Sequence, residues 1–354
     1  MRLALAATAF AAFATSLVSQ GADPSGPTGQ VVAEETTTTT ETTKTAIELR
    51  IATMAPSGTP WEELLKGYKK SVEAASKGRL LVKIFSGGTM GDENQTVRML
   101  GRGQLEGVGA SIGAFGSVIK ELDAIEIPFT FKSAKQADFV LDKHLKEPVS
   151  KLFQAKGMVF GFWNENGFRH FGSTFGPVTK PEDLKSKKVR SQENATHIEM
   201  WKALGASLQA IPTPDVAAAL KTGSVEGFDQ SVMMTSAAGW ASQIKYFTLS
   251  GHIYQPAAIA FNKAWFDKLP ASLQTILMDE GDKIVRSGRE AVRKMNASLV
   301  KSFAKKGITV TTLTDEEKAA FAKATAGVKA KMAARDSGTK ALIEAIDKGV
   351  KAAK

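Results

Sequence analysis

Residues 47–85 read IELRIATMAPSGTPWEELLKGYKKSVEAASKGRLLVKIF, and this stretch decides the fold class. IELRIAT alternates apolar and polar residues with the period of a strand. Thr59 is then placed as an N-cap, Pro60 at the first helical position, and Glu62 as the reciprocal partner of a capping box. Trp61, Leu64, Leu65, Tyr68, Val72 and Ala75 recur at helical spacing, and Gly78 ends the helix. LLVKIF is a second strand, so the unit is strand–helix–strand.

Working outward, the pattern repeats. GDENQTVRMLGRG is a helix capped by Asp92 with Gln95 three residues on, and LEGVGAS is a strand. A helical run over SAKQADFVLDKHLKEPVSKLFQAKG precedes the strand MVFGFW. KKVRS, LQAIP and SVEGFDQ read as strands separated by the helices NATHIEMWKALGA and TPDVAAALKTG, the second with Thr213 as cap and Pro214 at its first position. The later part reads as more helical, with over thirty residues of helical spacing after Pro270, then a last strand ITVTTL before alanine–lysine helices. Alternating short strands and helices predict an α/β fold with largely parallel sheets.

Ligands of such sheets bind outside the carboxyl ends of the strands. Thr53, Ser111, Trp163, Arg190 and Gln230 all stand at predicted strand ends. Arg169, in NGFRHFGS, and Arg190, in KKVRS, are the pair that bears most on function. Most arginines sit on surfaces, but a guanidinium at a strand end is well placed to take a carboxylate by two parallel hydrogen bonds. Most aromatics, in contrast, serve cores, and Trp163 is kept as a candidate because it ends a strand close to Arg169.

Composition narrows the class. With 354 residues and 43% hydrophobic content the chain has ample core for one large domain or two modest ones. It holds no cysteine, which excludes disulfides, thiol nucleophiles and thiolate metal sites. Arg2 and the apolar run Leu3–Val18, followed by small residues, read as a cleavable signal peptide over 1–22, the run being short for a membrane span. Residues 23–46, rich in Thr and Glu, carry too little apolar surface to fold and are expected to be a disordered linker. The expected location is therefore a Gram-negative periplasm. The net charge of +10 owes much to a lysine–alanine tail whose composition is that of solvated amphipathic helices; it lacks the aromatics or compact basic cluster of a nucleic-acid site.

Chemical motifs are weak. GASIG at 109–113 fits G-x-S-x-G, with Asp229 and His252 in hydrolase order behind Ser111, but such a hit arises easily among 31 glycines and the segment after Gly113 is a poor helix. The glycines miss the dinucleotide and P-loop spacings, and the four histidines lack metal-ligand spacing. No metal, cofactor or enzymatic activity is expected.

Several segments together resemble one family: LRIATMAPSGTPW, FSGGTMGDENQTVRML, EIPFTFKSAKQADFVLD, NGFRHFGS, KPEDLKSKKVRSQENATHIEMWKALGA, AALKTGSVEGFDQS and KYFTLSGHIYQPAAIAFNKAWFDKLP. The chain is similar, from about Ile47 to Ile346, to the periplasmic solute-binding subunits of TRAP transporters, the DctP-type proteins. The resemblance implies a two-lobed periplasmic-binding fold, type II-like, with hinge strands and a long connecting helix. Lobe I would hold 47–167 plus 255–296, and lobe II 168–254 plus 297–350. It implies a carboxylate ligand, delivery to the small and large membrane subunits of a TRAP permease, and a monomer. Arg190 would anchor the ligand carboxylate and Arg169 assist. Gln230 stands where the family commonly has asparagine, and Thr53, Ser57, Glu93, Ser111, Trp163, Asn166 and Thr213 complete the expected ligand contacts. Ser111 and Thr213 replace the glutamate and phenylalanine of the family's sialic-acid binders, which favours a smaller hydroxylated or dicarboxylic acid. A sensor module of the same fold, and a secreted serine hydrolase built on Ser111, are the competing readings.

Overall fold

The strand–helix–strand unit forms where its spacing predicts, in a computed structural model that describes residues 46–353. The expected signal peptide and nearly all of the 23–46 linker lie outside the described residues. β1 (Ile47–Thr53) and β2 (Leu80–Phe85) pair in parallel, joined by the helix Pro60–Ala75. Thr59 caps that helix, its hydroxyl accepting from the Glu62 N–H at 3.4 Å. The capping box is not closed as expected. The Thr59 N–H bonds to the Pro56 carbonyl in a turn, so the Glu62 carboxylate reaches one residue further back, to the Gly58 N–H at 2.9 Å.

The other strands are β3 (Gly107–Ser111), β4 (Met158–Ser173), β5 (Lys188–Ser191), β6 (Ser207–Ala210), β7 (Gly227–Ser231), β8 (Tyr246–Asn262) and β9 (Thr309–Thr312). They form one mixed sheet ordered β2-β1-β3-β8-β4-β7-β5-β6, with β9 beside β8. The expected parallel pairs exist within each half, β1 with β2 and β3, β5 with β6 and β7. The middle of the sheet is antiparallel, because β4 and β8 pair against each other from end to end.

β4 and β8 make the fold two-lobed. β3 pairs with Ala257–Phe261 of β8, while β7 pairs with Arg169–Ser173 of β4 and β9 with Tyr246–Leu249 of β8. The first half of β4 and the second half of β8 therefore belong to one lobe, and their other halves to the second. Register shifts at Glu165/Gly167 and Arg169/Phe171 mark the crossing. Gly167 takes φ +90° there, a conformation costly for a side-chain-bearing residue.

A third connection is the helix Ala271–Lys305, 35 residues long. Gly281 lets it close on Phe162 of β4, and Gly288 on Leu64 of the helix Pro60–Ala75. Further along, its Asn296 accepts from the Met233 N–H at 3.0 Å, in the helix that follows β7. The C-terminal helix Ser337–Ala352 packs back on the turn Lys120–Glu126 and the helix Ala134–Val140. The expected helical run over 133–157 is interrupted by a π-helical segment, Leu141–Leu145. No helix among the described residues is long and apolar enough to cross a membrane.

Candidate functional site

The carboxyl ends of β1, β3, β5 and β7 face the crossing of β4 and β8, and the cleft of the molecule lies there. Its enclosed space is narrow, about 40 Å³. Thr53, Glu93, Asn166, Thr213 and Gln230 line it, and a side cavity beyond Glu93 and Thr213 reaches Arg190.

Arg190 sits on β5 and is only 1% exposed. Its Nε donates to the Ile211 carbonyl at 2.9 Å and its Nη2 to the Thr213 hydroxyl at 3.4 Å. The Thr213 hydroxyl is turned to the arginine and caps no helix; Thr213–Asp215 is a single 3-10 turn before the helix Val216–Thr222. Nη1 of Arg190 is buried and has no hydrogen-bond partner among the described residues. The guanidinium lies 5.5 Å above the Trp240 ring. Burial, reinforced by the nearby Arg169 charge, pulls its pKa down to about 9. A buried cation with a free donor and no carboxylate in contact is set to receive an anion.

Arg169 is differently placed. It is fully buried on β4, just past the crossing. Nε donates to Asp229 Oδ2 at 2.5 Å and Nη2 to the Asp229 carbonyl at 2.5 Å. Nη1 faces the Oε1 atoms of Gln192, Gln230 and Gln255 at 3.1, 3.1 and 2.9 Å. Burial pushes Asp229 up, but Arg169, then His197 and His252, hold its carboxyl well below the usual range. Arg169 thus stands behind a glutamine wall, its charge matched by Asp229.

Glu93, at the start of its helix, holds Ser111: its Oε1 accepts the Ser111 N–H at 2.9 Å and its Oε2 the hydroxyl at 2.6 Å. Its side chain keeps some accessible surface, yet protein atoms enclose the carboxylate, and that burial raises its pKa against the pull of the Ser111 bonds. Ser111 also receives Gln192 Nε2 at 3.3 Å. His252 lies elsewhere, with Nδ1 against the Ser250 hydroxyl at 2.7 Å and Nε2 3.4 Å from Asp229. Ser111, Asp229 and His252 therefore do not assemble as a hydrolase triad; the hydroxyl's partners are the Glu93 carboxylate, the Gln192 amide and the Ala114 N–H of the short helix it caps.

Four expected residues do not line the cleft or its side cavity: Arg169 and Ser111 stand behind its wall, and Trp163 and Ser57 lie away from it. Trp163 points into the core, where its indole N–H bonds to the Leu141 carbonyl at 3.2 Å and its ring packs edge-on to Phe160. Strand alternation explains this, since Asn164 and Asn166 face the cleft and Trp163 the opposite side. Ser57 is exposed, and its hydroxyl ties to Glu62 at 3.2 Å. Sequence reasoning missed Gln192, Gln255 and Asn164. Gln192 follows Arg190 by two residues, a same-face spacing that could have revealed it. Gln255 lies on β8, in a region read as helical.

Behind the cleft, His197 bridges the two lobes. Its Nε2 meets Glu126 Oε2 at 2.5 Å and its Nδ1 lies 3.6 Å from Asp229 Oδ2. Burial and Arg169 act to lower its pKa, but the two carboxylates outweigh them and raise it.

A profile of the family described as "Bacterial extracellular solute-binding protein, family 7" matches residues 51–336. A solute-binding protein of Verminephrobacter eiseniae is 33% identical over 264 residues, which cover 75% of this chain and 78% of that one. Among solved structures, a TRAP periplasmic solute-binding protein from Polaromonas bound to D-erythronate superposes with a TM-score of 0.80 at 26% identity, over 85% of this chain and 98% of that one. Another, from Roseobacter denitrificans with bound β-D-glucuronate, gives 0.81 at 23% identity, over 84% and 98%.

Proposed function

The chain belongs to the bacterial extracellular solute-binding proteins of family 7, and from that premise we propose that it captures an organic-acid anion by its carboxylate at Arg190. The observation that carries this reading is the buried, unpartnered Nη1 of Arg190, beside a cleft between two lobes. A ligand carboxylate placed there gains a charge-assisted hydrogen bond and supplies the counter-ion that the guanidinium lacks. Relatives of the same fold carry D-erythronate and glucuronate, both hydroxylated carboxylates, which fits the polar lining.

The working cycle is hinge closure. The lobe that carries β1–β3 and the lobe that carries β5–β7 turn about the β4–β8 crossing, and ligand shifts the equilibrium toward the closed form to the extent that it prefers it. Closure is supported by bonds across the mouth, Asn94 Nδ2 to Glu193 Oε2 at 3.1 Å and Gln192 to Ser111. The closed protein is delivered in the periplasm to a TRAP permease, and the protein itself catalyses nothing.

Thermal-shift screening against mono- and dicarboxylates, sugar acids and keto acids tests the reading, because a bound ligand raises the melting temperature by mass action. Arg190→Ala is expected to lose the response while keeping its far-UV circular dichroism. Unchanged affinity in that variant sinks the proposal.

A further inference from the structure

The charges around the cleft select among carboxylic acids. Among the described residues lining the cleft and its side cavity, Arg190 is the one cation, whereas Asp92, Glu93 and Glu193 border the same space. The second guanidinium nearby does not change the balance. Arg169 is paired with Asp229 through two of its nitrogens and shielded from the cleft by three glutamines through the third.

The hydrogen-bond directions are equally specific. A guanidinium nitrogen only donates, so Gln192, Gln230 and Gln255 must each turn a carbonyl oxygen to Arg169. Their amide nitrogens point away. That of Gln192 donates to Ser111, that of Gln255 to Glu126 and Gln192, and that of Gln230 is the end left to face the cleft that Gln230 lines. Across the cleft, each Glu93 oxygen takes one bond from Ser111, and a carboxylate has about four acceptor positions. Acceptor capacity therefore remains for a ligand hydroxyl, as does a donor at Gln230.

We infer that the cleft is built for a monoanionic, hydroxyl-bearing carboxylic acid and disfavours dicarboxylates, with Glu93 as the discriminating residue and Arg169 positioning the amides that read the hydroxyls. This rests on the carboxylate reading above. A second ligand carboxylate would meet the Glu93 charge in a desolvated space and find no second uncompensated cation, whereas an uncharged hydroxyl in its place donates to Glu93 and accepts from Gln230.

Calorimetric titration of the full chain with length-matched acids tests this: threonate against tartrate, gluconate against glucarate, and butyrate and hexanoate as unhydroxylated controls. The expected result is that, in at least one pair, the hydroxy monoacid binds at least tenfold more tightly than its diacid and than the unhydroxylated acid. Glu93→Gln should narrow the monoacid-to-diacid ratio at least tenfold. Arg169→Lys, or Gln230→Leu should the first not fold, should narrow the ratio of hydroxylated to unhydroxylated acid, a change that loss of stability alone does not produce. A diacid binding as well as its partner overturns the inference, as does an unhydroxylated acid binding as well as the hydroxylated one. An unchanged diacid ratio in Glu93→Gln overturns the role of Glu93, and an unchanged hydroxyl ratio in the amide variants overturns that of Arg169. Silence of all six acids with folded protein overturns the carboxylate reading itself, and this inference with it, so the two failures are told apart.

Discussion

Arg169 Nε lies 2.5 Å from Asp229 Oδ2, and the same guanidinium holds the Asp229 carbonyl oxygen through Nη2. Both side chains are fully buried, so the pair pins β4 to β7 one step beyond the lobe crossing. Removing one partner strands a buried charge, which costs about 3–5 kcal/mol, whereas replacing both with apolar groups is much less damaging. Asp229→Asn is therefore expected to lose about that much stability in urea denaturation. Arg169→Met combined with Asp229→Leu should be more stable than either single variant. A double variant whose loss equals the sum of the singles would contradict the pairing.

Gly281 and Phe162 set how closely the long helix sits on β4. A Cβ at position 281 would lie 2.1 Å from Phe162 Cδ1. Alanine in a helix interior normally gains about 1 kcal/mol over glycine. Here the forced repacking of a buried ring reverses the sign, at a cost of roughly 1–3 kcal/mol. Gly281→Ala should lower the melting temperature. Gly67→Ala, in open space on the helix Pro60–Ala75, should raise or maintain it.

His170 gives stability a pH dependence. Its side chain keeps some accessible surface, yet protein atoms enclose the ring, and that burial, with a smaller push from His252, lowers its pKa to about 3; its Nδ1 accepts the Gly251 N–H at 3.0 Å, which only the neutral ring can do. In the unfolded chain a histidine protonates near 6.5, so between those values the unfolded state binds more protons. The stability this group contributes is complete above about pH 6.5 and is lost progressively as pH falls toward 3. His252, also lowered, acts in the same direction, while His197, raised, acts in the opposite one. NMR should show the His170 ring neutral at pH 5. Denaturation midpoints should separate more between pH 7.5 and 4.5 in the wild type than in His170→Asn.

What was legible in the sequence follows from what each segment faces. β1, β2 and the first helix announce themselves because one side meets core and the other meets water, which makes the periodicity clean. β4 beyond Trp163 and all of β8 were obscured because both strands are buried on each side and carry polar residues toward a polar cleft. Asn164, Glu165, Arg169 and Gln255 look like a loop when polarity is taken to mean solvent. The same cause hid Gln255, whereas Gln230 was expected at the end of β7 and Gln192 follows directly on β5. Arg190 could be placed from its strand end, but the partnering of Arg169 with Asp229 depends on strands that meet only in three dimensions, 60 residues apart in the chain.

Trp240 supports Arg190 from below, and this makes the anchor's orientation testable. The ring lies 5.5 Å from the guanidinium carbon and is itself fixed edge-on against Phe228 of β7. A desolvated cation–π contact is worth about 2 kcal/mol, and an aromatic of any kind retains part of it. Trp240→Phe should therefore weaken acid binding a few-fold, and Trp240→Leu at least tenfold, although leucine replaces more of the lost apolar volume than alanine would. Stability falls in both variants because Trp240 is core, so affinity must be read by calorimetry at a temperature where circular dichroism shows both folded. Equal affinity in the phenylalanine and leucine variants would mean that the ring only fills space, and that Arg190 is held by the Ile211 carbonyl and the Thr213 hydroxyl alone.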